Sequence, residues 1–181
     1  MIKQACLIIG LVITAGVAAG PAWPGEYPDA EQSAALDARS QVLLDMHNSA
    51  RKSFGSGDLA WSDDLAKDAE RWARDLAKRN VMQHASAGER KGAGENLWLG
   101  TKDRYTPEQM IAAFVAEKQY FKPGEFPNVT TTGNWADVGH YTQLVWPETT
   151  EVGCAIASNE DDDFLVCRYL PAGNIRGVPL G

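Results

Sequence analysis

The chain has 181 residues, 44% hydrophobic and 23% charged, enough for one globular domain that buries a core without metal or many disulfides. Its net charge of −7 speaks against nucleic-acid binding, which needs clustered Lys and Arg to neutralise phosphates. No basic stripe offsets that charge, so an anionic membrane surface is disfavoured too.

The first residues, MIKQACLIIGLVITAGVAAGPAW, place Lys3 ahead of an apolar run from Ala5 to Ala19 that ends in small residues. That pattern predicts a signal peptide over 1–22, with cleavage after Ala22 and a single domain over 23–181. The run is short for a membrane span, so no transmembrane anchor is expected after cleavage. A retained anchor is the alternative. Cys6 lies at the start of the apolar run, where a lipoprotein cysteine would follow it, and is expected to be removed with the signal.

GEYPDAEQ reads as a loop, and a helix follows from about Ala34 to Phe54, carrying His47. SDDLAKDAERWARDLAKRN predicts a second helix, with Ser62 as N-cap, Asp63 and Asp64 in the first turn and Lys78 and Arg79 in the last. Its apolar stripe is Leu65, Ala69, Trp72 and Leu76. MQHAS then brings His84, and GAGENLW brings Glu95 between small residues and a β-prone segment.

TPEQMIAAFVAEKQYF predicts a third helix, with Thr106 as N-cap, Pro107 at its first position and Gln109 completing a capping box. Met110, Phe114 and Phe121 share one face, and Glu117 falls on the same stripe. A carboxylate aimed at a core needs a partner. A structural salt bridge would supply one; so would a histidine. KPGEFPNVTTTGN follows as a loop, in which Asn128 is a glycosylation acceptor if the host secretory route uses it.

GHYTQLVWP places His140 among aromatic and β-branched residues, as a packed core residue, a metal ligand or a general base. A lone histidine is more often the first. There is no HExxH helix, so no zinc-protease motif is present. VGCAIA and FLVCRYL, separated by SNEDDD, predict a hairpin. If Ala157 faces Phe164, Cys154 and Cys167 stand directly opposite each other, at a separation that suits a disulfide. Two buried free thiols are the poorer alternative. Glu160, Asp161, Asp162 and Asp163 lack the glycine and ligand spacing of a calcium loop, and are expected to form a solvated hairpin tip.

GHYTQLVW followed by CRYLPAGNIRG resembles the paired signature segments of the CAP superfamily, which comprises cysteine-rich secretory proteins, antigen 5 and group-one pathogenesis-related proteins (the SCP domain). LLDMHNSAR, LAWSDDLAKDAERWA, HASAGERKGAGENLW and FVAEKQY occur in that family's order, so the resemblance covers about residues 37 to 177. It implies an α+β fold, a three-layer α-β-α sandwich with a small, mainly antiparallel sheet. It also implies a central cleft whose tetrad is His84, Glu95, Glu117 and His140. In several relatives the cleft histidines bind a divalent metal, so His84 and His140 become neutral imidazole ligands for an ion such as zinc, with the acids orienting them. His47 matches a family position taken as structural.

Three functional classes remain open on this reading. A secreted or periplasmic binding or effector protein with extracellular protein partners is the leading one, with no catalytic residue assigned. Some relatives bind sterols or other lipids through a loop after the third helix. Here that loop is YFKPGEFPN, offering Tyr120, Phe121 and Phe126, and its aromatics can equally pack down on the domain. Metal-assisted hydrolysis is the third class; a Ser/His protease finds little support, because Ser86 beside His84 lacks a G-x-S-x-G elbow. The tail lacks the terminal tyrosine that goes with peptide release in plant relatives, so that role is not carried over.

Overall fold

A computed structural model describes residues 36–181; the expected signal peptide over 1–22 lies outside the described residues. The first helix, α1 (Ala38–Phe54), starts where the Asp37 carboxylate accepts the Arg39 and Ser40 amides. It stops at Gly55, whose φ of 101° returns its N–H to the Arg51 carbonyl. β1 (Ala60–Trp61) leads into α2 (Asp63–Arg79), capped by Ser62 as expected and closed by Asn80 in the left-handed region. A one-turn helix, α3 (Ala87–Arg90), precedes β2 (Gly94–Thr101). α4 (Pro107–Ala116) carries the predicted Thr106/Gln109 capping box with Pro107 in its first turn. β3 (Gly124–Glu125), α5 (Gly139–Leu144), β4 (Glu151–Ser158), β5 (Asp162–Leu170) and β6 (Pro179–Leu180) complete the order.

The sheet order is β1-β4-β5-β2, with β1 parallel to β4 and the other pairs antiparallel. Strand alternation then assigns each side chain to a layer. Leu97, Phe164 and Val166 pack against Ala69, Ala73 and Leu76 of α2 on one face. Leu165, Cys167 and Tyr169 pack against Leu43, Met110, Ile111 and Phe114 of α1 and α4 on the other. The result is the three-layer α+β sandwich. α2 approaches so closely that a Cβ at Gly153 would collide with the backbone of Ser62, Leu65 and Ala66. A third cluster, Phe126, Val129, Val138, Trp146 and Leu180, closes the end where the β3–β6 ribbon lies.

The hairpin has the expected register, with Ala157 opposite Phe164 and Cys154 opposite Cys167. Those cysteines form a disulfide with a Cα–Cα distance of 4.1 Å. One expectation fails at the hairpin tip: Asp163 is 5% exposed rather than solvated. It accepts from the Ser158 hydroxyl at 2.5 Å and the Asp103 amide at 2.9 Å, tying the hairpin to the turn after β2. The third helix also departs from expectation, because its α-helical part ends at Ala116 and Glu117–Tyr120 tightens into a 3₁₀ turn.

Candidate functional site: a cleft between two histidine–glutamate pairs

Glu95 sits on β2 directly opposite Arg168 of β5, so both side chains point to the same face of the sheet. The Glu95 side chain is fully buried, a costly place for a carboxylate, and three donors compensate it. Its Oε1 receives His84 Nδ1 at 2.5 Å and the Ala85 amide at 3.1 Å. Its Oε2 faces the Arg168 guanidinium at 3.1 Å, an ion pair off the hydrogen-bond direction. Arg168, 1% exposed, also lies 3.6 Å from the Asp68 carboxylate of α2. Burial draws its pKa below the ordinary guanidinium value, and Glu95 and Asp68 oppose that.

The second pair is built at a helix junction. Glu117, at the change from α4 to the 3₁₀ turn, accepts the His140 and Tyr141 amides through Oε2 at 2.9 and 3.1 Å. These amides open α5 and have no intrahelical acceptor, so a carboxylate there is doubly favoured. Glu117 Oε1 takes His140 Nδ1 at 2.6 Å, and Phe114 stacks on the imidazole at 4.9 Å. The end of the regular helix therefore coincides with the residue that must reach α5.

Both imidazoles line one cleft of about 490 Å³, together with Asn96, Trp135 and Gln143. Gly94 belongs to its wall, where a Cβ would strike the Gln143 side chain. The Nε2 atoms of His84 and His140 make no hydrogen bond among the described residues. A carboxylate on Nδ1 fixes the tautomer and leaves Nε2 as the electron-pair donor, which is the arrangement an imidazole ligand uses.

The third histidine is placed quite differently. His47 is fully buried, with Nδ1 donating to the Leu43 carbonyl at 2.7 Å and Nε2 accepting from the Tyr169 hydroxyl at 2.8 Å. Burial, chiefly, drops its pKa to about 4, aided by Arg51 and opposed by the Leu43 hydrogen bond, and burial also pushes the Tyr169 phenol up. Asn96 Nδ2 donates to both Tyr169 Oη and the His140 carbonyl, so α1 is linked through the sheet to the cleft. His47 also lies near Cys154 and Cys167, a grouping that resembles a metal cluster. The disulfide leaves no thiolate there, and both ring nitrogens of His47 are engaged.

The other expected residues are spread out. Phe126 is 4% exposed in the third core cluster, Phe121 packs edge-on against Phe54 and Tyr141, and Tyr120 is 41% exposed. Ser86 spends its hydroxyl capping α3 by accepting the Glu89 amide. Arg168 and Asn96, which hold Glu95 and the His140 backbone, carried no sequence signal; only the β2–β5 register brings them to the tetrad. Among the described residues, no helix is long and apolar enough to cross a membrane.

Residues 44–169 match the family model described as CAP, cysteine-rich secretory protein family. The chain is 32% identical over 179 residues to the pathogenesis-related protein PRMS of Zea mays, covering 97% of this chain and 95% of that one. It is 37% identical over 138 residues to pathogenesis-related protein 1A of Nicotiana tabacum, covering 76% and 77% of the two chains. Among solved structures, NaASP2 with Zn2+ superposes with a TM-score of 0.65 at 28% identity, over 80% of this chain and 87% of the other. With its fold, its hairpin disulfide and these matches in agreement, the chain belongs to the CAP family of cysteine-rich secretory proteins.

Proposed function

We propose that this protein is an exported binding or effector protein whose cleft takes a divalent metal on His84 and His140. The observation that carries the proposal is the shared design of the two pairs. Each imidazole has Nδ1 on a glutamate and an Nε2 with no hydrogen bond among the described residues, and both line the same cleft. Two neutral imidazoles suit zinc and leave coordination positions open for an exchangeable ligand, unlike a closed structural site. That NaASP2 crystallised with Zn2+ agrees with that choice. A buried disulfide supports an oxidising compartment, in line with a signal peptide over 1–22 and a mature domain over 23–181. The capping role of Ser86 favours binding over serine hydrolysis.

Zinc titrated by calorimetry into the chain lacking residues 1–22 tests this. Protons should compete with the metal, so binding weakens as the solution is acidified, because an imidazolium cannot ligate metal. His140→Ala should remove most of it; a variant that binds zinc as the parent does would refute the metal reading.

A second reading, lipid binding, has an observation of its own. Met46, Ala50, Ala112, Val115 and Ala116 line an apolar groove of about 330 Å³ between α1 and α4, next to Tyr141. With Phe121 and Phe126 packed inward, this groove accommodates an apolar chain better than the loop after α4 does.

A further inference from the structure

We propose that the same cleft holds an oxyanion, a carboxylate or a phosphate borne by a small molecule, between Arg90 and Arg176. This rests on the cleft assigned above but not on its metal. Besides its two imidazoles, the charged side chains lining the cleft are Glu95, Arg90 and Arg176. Glu95 is neutralised from behind by Arg168 and is fully buried, so it presents no free charge. Neither Arg90 nor Arg176 pairs with an acid among the described residues. A chain of net charge −7 therefore turns two uncompensated guanidiniums toward one cavity.

Arg90 is held through its head group and Arg176 through its backbone. Arg90 ends α3, and its Nε and Nη1 donate to the Ala85 and Ala93 carbonyls at 3.2 and 3.5 Å, leaving Nη2 unengaged among the described residues. Arg176 lies in a turn closed by the Val178 amide on the Ile175 carbonyl, and the Gly177 amide donates to the Phe126 carbonyl at 2.9 Å. Just upstream, Asn174 at φ 58° fastens the same segment to α5 through the Gly139 carbonyl and the Thr142 hydroxyl. A guanidinium presents planar, paired donors that match carboxylate and phosphate oxygens, and an anion gains charge attraction there that a neutral ligand lacks. Asn96 Nδ2 donates to two protein acceptors and Gln143 Nε2 and Asn174 Nδ2 to one each, so the cationic donors left in the cleft are the two guanidiniums.

The test uses the chain lacking residues 1–22, stripped of metal with a chelator, and titrates inorganic phosphate and, separately, malonate at constant ionic strength. Chemical-shift mapping should show saturable binding at the cleft for at least one of them, and the stronger probe identifies the anion class. Arg176→Gln should weaken that binding about fivefold, and Arg176→Lys less, since one charge-assisted contact at an exposed site is modest. Adding Arg90→Gln should abolish it. Lys91→Gln, an equal charge change outside the cleft, should leave it intact. His140→Ala should retain phosphate or malonate binding while losing zinc, which separates this proposal from the metal one. Absence of saturable binding by either probe, an Arg176→Gln protein that melts normally and binds as the parent does, or an equal loss in Lys91→Gln would overturn it.

Discussion

His47 makes the stability of this domain depend on pH across the mildly acid range. Its folded pKa is about 4 against an ordinary 6.5, because the ring is buried, with Arg51 adding to the drop and the Leu43 hydrogen bond opposing it. The unfolded chain therefore binds a proton that the folded chain refuses. Its contribution is fully present above pH 6.5 and is lost as pH falls toward the folded value. Integrating the linkage gives a loss of about 2 kcal/mol at roughly pH 5 and about 3 kcal/mol at roughly pH 4. Other groups in the folded and unfolded chains take up protons over part of that range, so the measurement must be a difference. Urea unfolding of the parent and of His47→Gln, each at several pH values from about 7.5 down to 4, supplies it. The variant starts lower, having lost its fit to Tyr169, but its stability should fall by about 2 to 3 kcal/mol less over that range. Parallel curves for the two proteins would show that His47 is not the buried neutral group described here.

Cys154→Ala combined with Cys167→Ala should lower stability by about 3 kcal/mol without abolishing the fold, as expected for a short covalent ring, read by thermal melting. A melting point unchanged from the oxidised parent would contradict that. Glu117→Gln preserves shape but removes the carboxylate charge that faces His140 Nδ1, so zinc affinity should fall about tenfold in calorimetry with the fold retained. Unchanged affinity with a large drop in melting temperature would make Glu117 a structural ion pair only. Gly153→Val should destabilise by about 3 kcal/mol or more, because the added atoms meet the α2 backbone rather than a movable side chain; chemical denaturation near parental values would mean that α2 can move off the sheet.

Local chemistry in the sequence was enough to place several boundaries. Ser62 and Thr106 start their helices because side-chain oxygens must satisfy orphan amides, and those bonds depend only on residues a few positions away. The hairpin register, and with it the disulfide, followed from setting Ala157 against Phe164, again a short-range constraint. The layered fold and the tetrad came from the resemblance, since spacing alone left His84 and His140 as two ordinary histidines. What the tertiary structure decided is everything that depends on which strand lies beside which. The β2–β5 pairing puts Arg168 behind Glu95, which gives a buried carboxylate a cationic neighbour while it holds His84. The packing of α4 against α5 ends a regular helix at Glu117, because its carboxylate is drawn to amides 23 and 24 residues away in the chain. Asp163, polar enough to suggest a wet tip, is buried because Ser158 and the Asp103 amide reach it. Charge compensation of this kind acts through space, where a sequence pattern carries no record of distance.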